Sequence, residues 1–382
     1  MPPNKRIAFV ANTSWSIYKF RIHLLEQLIQ NGFSVFVLAP RDRYTEKFED
    51  IKGLTFIQLT KFRAKSISLF HNLQLKKELT KHYSQIRPGL IFHYTVKANL
   101  YGSKAAAKAH CPSISVFTGL GYTFSNSLLR SFVQTRLRPA LKKNISNWFL
   151  NSDDQQLFIE KKLVKKEKTF LLPGEGVDTD KFYATPYDHH DHRPEITFLL
   201  IARIIKHKGI YEFVRAAEIL QGKGLPVKCQ LLGFFDEGSR IAISRREVEE
   251  WQQKGLIHYL GDTDEVAPFI ERADCIVLPS YREGMPLSLL EGASMCKALI
   301  ATDTPGCRAI VRDGINGFLC KTRDGADLAG AMEKYYRLSR EEKRKMGLAG
   351  RQLVLESFTR DIVTHIYLDK IKALLATRQE HR

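Results

Sequence analysis

The sequence predicts an α/β protein built of two doubly wound parallel-sheet domains. Two observations predict it. Short apolar runs alternate with amphipathic helical stretches along nearly all of the 382 residues, the pattern of strand–helix–strand units with helices on both faces of a sheet. The alternation also comes in two series. They are separated at 185–194 by a stretch holding two prolines, Asp188, Asp191 and three histidines, which is a linker composition.

In the first series, residues 6–11 are an apolar run ended by Asn12 and form the first strand. Residues 17–31 have helical spacing, with Gly32 as the C-terminal cap. Residues 34–38 are the next strand, closed by Pro40. Runs at 90–94, 113–117 and 148–150 continue the series. The second series has strand-like runs at 196–202, 227–232, 256–260, 275–278 and 298–301. Helical stretches at 210–221, 265–271, 287–296 and 326–338 lie between or after them. The expected domains are 1–185, joined by a final helix from 359, and 186–358. Ligands of such sheets bind outside the carboxyl ends of the strands, so a cleft there is the expected site.

Composition narrows the class. Hydrophobic residues are 44 % and charged residues 26 %, which excludes global disorder and a disulfide miniprotein. The longest uncharged run, 109–129, is broken by Pro112, Gly119 and Gly121, so no spanning helix is expected. Lys5-Arg6 lead into a run too short for an export signal. The six cysteines show no CxxC pair and are expected to be reduced thiols.

Charge is lopsided. Residues 1–185 carry 29 Lys/Arg against 13 Asp/Glu, and residues 186–382 carry 30 against 28. A localised positive field calls for an anionic partner: nucleic acid, anionic lipid or a phosphorylated substrate. Residues 127–143 sharpen this. Apolar positions recur there at helical spacing beside Arg130, Arg136, Arg138, Lys142 and Lys143. The pattern suits a membrane-interface helix, and equally a core helix with a solvated basic face.

Two constellations can carry chemistry. After the run 275–278 comes Pro-Ser-Tyr-Arg-Glu283-Gly284-Met285-Pro-Leu287-Ser288-Leu-Leu-Glu291. Glu283 lies in a loop, Glu291 two turns into the following helix, and the helix start between them offers free amides for a phosphate. Two carboxylates about a phosphate site suit a ligand with a sugar at one end, a diphosphate and a ribose. After 196–202 comes Arg203-Ile-Ile-Lys-His-Lys208-Gly209, where an Arg fork and a Lys point charge can neutralise a diphosphate. Asp262-Thr-Asp264 is expected to cap a helix rather than bind a metal. His189-His-Asp-His192 is expected to be a solvated loop.

These residues resemble the GT-B-fold retaining glycosyltransferases of family 4. The carriers are Glu283 and Glu291, and Arg203 with Lys208-Gly209. Supporting matches are Gly174-Glu-Gly-Val-Asp178, Tyr259-Leu-Gly261, Thr304-Pro-Gly-Cys-Arg308 and Asp313-Gly-Ile-Asn-Gly317. The first half resembles the PglA-like bacterial transferases, which extend a sugar on undecaprenyl diphosphate. It does so at Asn12-Thr-Ser14-Trp-Ser16-Ile-Tyr-Lys-Phe-Arg21, Lys97-Ala-Asn-Leu-Tyr-Gly102 and Thr118-Gly119-Leu-Gly121.

The resemblance implies a retaining, metal-independent transferase without a cofactor. It would move a sugar, expected to be an N-acetylhexosamine, from a UDP-sugar to a polyprenyl-diphosphate-linked glycan. The place expected is the inner face of the cytoplasmic membrane, with the basic half on anionic lipid and with no nucleic acid bound. In the family, the residues matching Arg203 and Lys208 hold the donor diphosphate, the one matching Glu283 the transferred sugar and the one matching Glu291 the ribose. Gly284, Met285, Leu287 and Ser288 would contact sugar and phosphates, and Leu260 and Gly233 complete the donor site. Asn12, Ser14, Ser16, Arg21, Gly119 and Gly121 become acceptor-side candidates. Many members place a histidine where this chain has Val96, so His93 and Lys97 are added. A sugar-nucleotide epimerase of the same fold and a non-catalytic membrane- or nucleic-acid-binding protein are the alternatives.

Overall fold

A computed structural model describes residues 4–63, 68–120, 135–183, 195–236, 238–239 and 241–380. The chain divides into two compact units, Met1–Gly176 with Arg360–Arg382, and Val177–Thr359. The expected division at 185 lies outside the described residues. The units part nine residues earlier because Val177 and Phe182 are already buried in the core of the second unit.

The first unit holds a seven-stranded sheet in the order β3-β2-β1-β4-β5-β6-β7. Its strands are β1 Arg6–Val10, β2 Ser34–Ala39, β3 Leu54–Gln58, β4 Leu90–Tyr94, β5 Ser113–Phe117, β6 Ser146–Phe149 and β7 Thr169–Leu171. The second holds a six-stranded sheet, β10-β9-β8-β11-β12-β13. Its strands are β8 Ile196–Ile201, β9 Val227–Leu232, β10 His258–Tyr259, β11 Cys275–Leu278, β12 Ala298–Thr302 and β13 Gly317–Cys320. Every pairing is parallel.

Strands covered on both faces read as unbroken apolar runs. In the second unit Phe198, Leu200, Cys275 and Val277 enter one core, while Leu199, Ile276 and Leu278 enter the other. In the first unit the C-terminal helix Arg360–Glu380 covers the sheet: the Tyr367 ring lies 5.5 Å from Phe92 and 5.0 Å from Trp148. That helix is the element expected from 359. Of the stretch 127–143, residues 135–141 are helical with Leu137, Ala140 and Leu141 fully buried. There the apolar stripe is a core face, and 127–134 lie outside the described residues.

Both sheets wind outward in two directions, so each has one point where strand order reverses. In the first sheet it lies between β1 and β4, in the second between β8 and β11. Loops leaving the carboxyl ends of those strands border the crevice where such sheets bind ligands. No described helix is long and apolar enough to cross a membrane, and all six cysteines are free thiols.

Candidate active site

Both second-half constellations leave the switch-point strands. Residues 203–209 follow β8 and residues 279–286 follow β11, which pair directly through Cys275–Phe198 and Ile276–Leu199. Positions 75 residues apart in sequence become adjacent. Lys208 Nζ donates to Glu283 Oε1, in an ion pair whose side chains are only 20 % and 12 % exposed.

Two glycines permit this closeness. At Gly209, φ is +72° and a Cβ would stand 2.0 Å from the Pro279 carbonyl oxygen. At Gly306, φ is +83° and a Cβ would stand 2.4 Å from the Gly284 oxygen. No side chain fits either place, so the loops after β8 and β12 both lie directly on the backbone carrying Glu283. Tyr281 fastens the first contact. Its N–H donates to His207 O at 3.0 Å and its hydroxyl to Glu212 Oε1 at 2.8 Å. Its ring lies 5.5 Å from His207 and 4.8 Å from the Arg323 guanidinium. Burial, then the Glu212 carboxylate, raises the Tyr281 pKa. Under Glu283 the buried Cys307 thiol is pushed up to about 12, by burial first and then by that carboxylate, so it stays protonated and inert.

The helix Leu287–Ser294 begins three residues after Gly284, behind Pro286, and no side chain caps it. Its first amides are therefore available to an anion. Ser288 is half-buried, Gly284 is buried, and Met285 and Leu287 are part of the wall. Glu291, at 9 % exposure, is the fifth residue of this helix. Gly292 behind it has no room for a Cβ, which would meet Ile276 at 2.4 Å, and so the helix sits close on β11. On the other side of β8, Gly233 N donates to Gly261 O at 2.9 Å, and the Tyr259 hydroxyl donates to Gly233 O at 2.9 Å. That joins Gly233 and Leu260 at the ends of β9 and β10.

Arg203 faces Asp236, with Nη1 3.3 Å from Oδ2, and its side chain is 47 % exposed. Asp262 and Asp264 do not cap the next helix as expected: Ala267–Arg272 has Val266 at its N-cap.

Three of the first-half candidates are buried, and a fourth, half-buried, serves in a helix cap. Arg21 is 3 % exposed and paired with Glu175; it donates to Ser16 O at 2.8 Å and stacks 3.7 Å from the Tyr94 ring centroid. A cation so enclosed cannot meet an acceptor. His93 is fully buried, because its strand position turns it into the sheet's core. Its Nε2 lies 2.9 Å from the Tyr83 hydroxyl, and burial lowers its pKa to about 3. Ser14 is fully buried and donates to Pro40 O at 2.9 Å. Ser16 donates its hydroxyl to Thr13 O at 3.0 Å in the cap of the helix Ser14–Gln30.

The others keep a place at strand ends. Asn12 follows β1 and is half-buried. Val96 and Lys97 open the helix Val96–Lys108 directly after β4; Lys97 donates to Arg63 O, and burial lowers its pKa. Gly119 follows β5, with φ +134°. Gly121 lies outside the described residues. Sequence reasoning passed over Tyr281 and Asp236, and it had Gly306 only as part of the Thr304–Arg308 match, without a role.

Residues 6–150 match the model of the glycosyl transferase 4-like family, and residues 188–353 that of the glycosyl transferases group 1. A Campylobacter jejuni protein named N,N'-diacetylbacillosaminyl-diphospho-undecaprenol alpha-1,3-N-acetylgalactosaminyltransferase is 29 % identical over 361 residues, covering 90 % of this chain and 92 % of its own. An Escherichia coli UDP-Gal:alpha-D-GlcNAc-diphosphoundecaprenol alpha-1,3-galactosyltransferase is 24 % identical, covering 68 % and 69 %. The crystal structure of Anabaena HepE with UDP and glucose superposes with a TM-score of 0.76 at 16 % identity, over 96 % of this chain and 99 % of that one. At that identity it shares the fold.

Proposed function

The chain belongs to the glycosyltransferases, with a 4-like first half and a group 1 second half, and from that premise we propose that it is a retaining hexosyltransferase working from a UDP-sugar, without a metal, on a polyprenyl-diphosphate-linked glycan. The donor sugar we propose is an N-acetylhexosamine. The acceptor class rests on relatives whose names specify undecaprenyl-diphosphate-linked sugars. The work place would be the inner face of the cytoplasmic membrane, in surface-polysaccharide or glycan assembly.

The observation that carries the reading is the Lys208–Glu283 pair beside the uncapped helix start at Leu287. Charge develops on the donor diphosphate as the bond from its oxygen to the anomeric carbon breaks. Lys208, Arg203 and the amides of Leu287 and Ser288 supply positive potential for it from preorganised positions. Glu283 accepts hydrogen bonds from hydroxyls of the transferred sugar and Glu291 from those of the ribose. Gly233 and Leu260 flank the base. The acceptor hydroxyl adds on the face the diphosphate leaves, and its proton passes to the departing phosphate oxygen. Asn12, Lys97 and Gly119 remain as acceptor-side residues.

The test mixes purified chain with UDP- and GDP-sugars, a polyprenyl-diphosphate-linked acceptor and EDTA, and follows nucleotide diphosphate and lipid product. Transfer from a UDP-N-acetylhexosamine with the anomeric configuration kept, lost in Glu283→Ala and Lys208→Ala, is the expected result. No turnover with any donor by folded protein, or an inverted product, would overturn it.

A further inference from the structure

Helix Ser14–Gln30 turns Ser14, Ile17, Arg21, Leu24, Leu25 and Leu28 into the core of the first unit, the stripe of a helix packed on one side. Trp15 and Phe20 lie off that stripe. Both are half-buried, so each ring keeps part of its surface in solvent. They meet edge to face, with centroids 5.4 Å apart and planes at 80°. Tyr18 on the same helix is taken up by packing, 5.7 Å from the Tyr44 ring and 5.8 Å from Phe48.

Arg21 shows where the pair stands. Its guanidinium carbon lies 6.0 Å from the Phe20 centroid and 3.7 Å from that of Tyr94, and Tyr94 is the last residue of β4. Trp15 is in the first turn of the helix that follows β1. The two rings therefore border the carboxyl ends of β1 and β4, the paired strands between which the order of the first sheet reverses. A wound sheet takes its ligand there.

The backbone under Trp15 is fixed. Trp15 N donates to Asp42 Oδ2 at 2.9 Å, and Oδ1 of the same carboxylate accepts from Tyr44 N at 2.9 Å. Thr45 Oγ1 donates to Ser14 Oγ at 3.1 Å, and Ser14 Oγ to Pro40 O at 2.9 Å. The loop after β2 is thus fastened to the first turn of the helix. An aromatic side chain carried on a fixed backbone loses little freedom when it binds. A pyranose ring presents an apolar face of C–H groups inside a rim of hydroxyls. An indole face suits the first and polar side chains at its border the second; Asn12, half-buried after β1, brings an amide to this loop. The donor residues of the proposed reaction all lie in the second unit, which leaves the first unit's crevice to the acceptor.

We propose that Trp15, backed by Phe20, binds the acceptor by stacking its indole on the sugar ring that the lipid diphosphate carries. The inference rests on the reading above, in which the acceptor is a lipid-linked glycan.

The experiment measures acceptor KM for Trp15→Ala, Trp15→Leu and Trp15→Phe, with the same sugar diphosphate on a short and on a long polyprenyl chain. Losing the stacked face raises acceptor KM roughly ten-fold in the Ala and Leu variants, equally for both chains and with donor KM unchanged. Leu fills space without a flat face, so it separates stacking from packing. Phe keeps a ring and stays within about three-fold of the parent. Iodide quenching of tryptophan fluorescence, without donor, is the second readout and keeps the test open should Trp15→Ala fail to fold. Trp148 is 1 % exposed and contributes little to it. The acceptor is expected to shield the parent from iodide and to leave quenching of Trp15→Phe unchanged. Unaltered acceptor KM in the Ala and Leu variants, rescue by Leu, a rise confined to the long chain, or no shielding would overturn the proposal. A parent that transfers no sugar sinks the proposed reaction; the shielding needs no turnover and still decides whether the acceptor covers Trp15.

Discussion

Gly209→Ala tests the argument that close backbone approach sets the Lys208–Glu283 geometry. A Cβ at residue 209 would lie 2.0 Å from Pro279 O and 2.6 Å from its carbonyl carbon. Reaching van der Waals contact requires the two loops to part by roughly 1 Å or more. A left-handed φ adds about 1–2 kcal/mol for any residue with a side chain. The substitution should therefore destabilise the second unit by at least about 2–3 kcal/mol, lowering its Tm by roughly 5–10 °C. The larger effect falls on the reaction. Displacement of Lys208 and Glu283 by about 1 Å should lower kcat roughly 100-fold. Gly224→Ala is the control: φ is +68° but nothing lies within 4 Å of the added atom. It should show about 1 kcal/mol of strain and unchanged kcat. Initial rates of nucleotide diphosphate release, with thermal and urea unfolding of the same proteins, measure both. The reasoning is refuted if Gly209→Ala keeps kcat within a few-fold, or loses no more stability than Gly224→Ala.

Lys208→Ala should lower kcat/KM by about 10²–10³, and the double variant with Glu283→Gln should lose much less than the product of the two, since the partners act as one unit; steady-state rates for all three proteins decide it. Arg21→Ala strands Glu175, whose pKa burial already raises against the pull of Arg21. It should destabilise by about 3–5 kcal/mol in urea unfolding, while Arg21→Met with Glu175→Leu is much milder. His93 titrates near 3 when folded and near 6.5 when unfolded. The unfolded chain then binds the extra proton between those values, so stability falls as pH falls from about 6.5 toward 3, by up to about 1.4 kcal/mol per pH unit. His93→Gln should flatten that slope in denaturant midpoints and leave the pH profile of transfer between 6 and 8 unaltered.

The strands legible in the sequence are those buried on both faces. Residues 196–202 and 275–278 are continuous apolar runs and appear as β8 and β11. Those passed over, Leu54–Gln58, Thr169–Leu171 and Gly317–Cys320, are edge strands of their sheets, short and partly exposed, where one-sided contact demands little apolar patterning. The expected strand at 256–260 shrinks to His258–Tyr259, also an edge. The charged helix Arg340–Ser357 has a weak apolar stripe, yet Ser339 and Glu342 form a capping box that marks its start.

By itself the sequence determined the fold class, two wound sheets, and marked the loops after β8 and β11 as the candidate site. Periodicity and glycine placement are local properties and survive without coordinates. Only the tertiary structure decided which polar residues are available. Arg21, His93 and Ser14 look like site residues in the chain and are core residues in the fold, while Tyr281 and Gly306 look incidental and hold Glu283 in place. Burial and partnership are set by which strands become neighbours. The pairing of β8 with β11 brings Lys208 to Glu283 across 75 residues, a relation no local pattern contains.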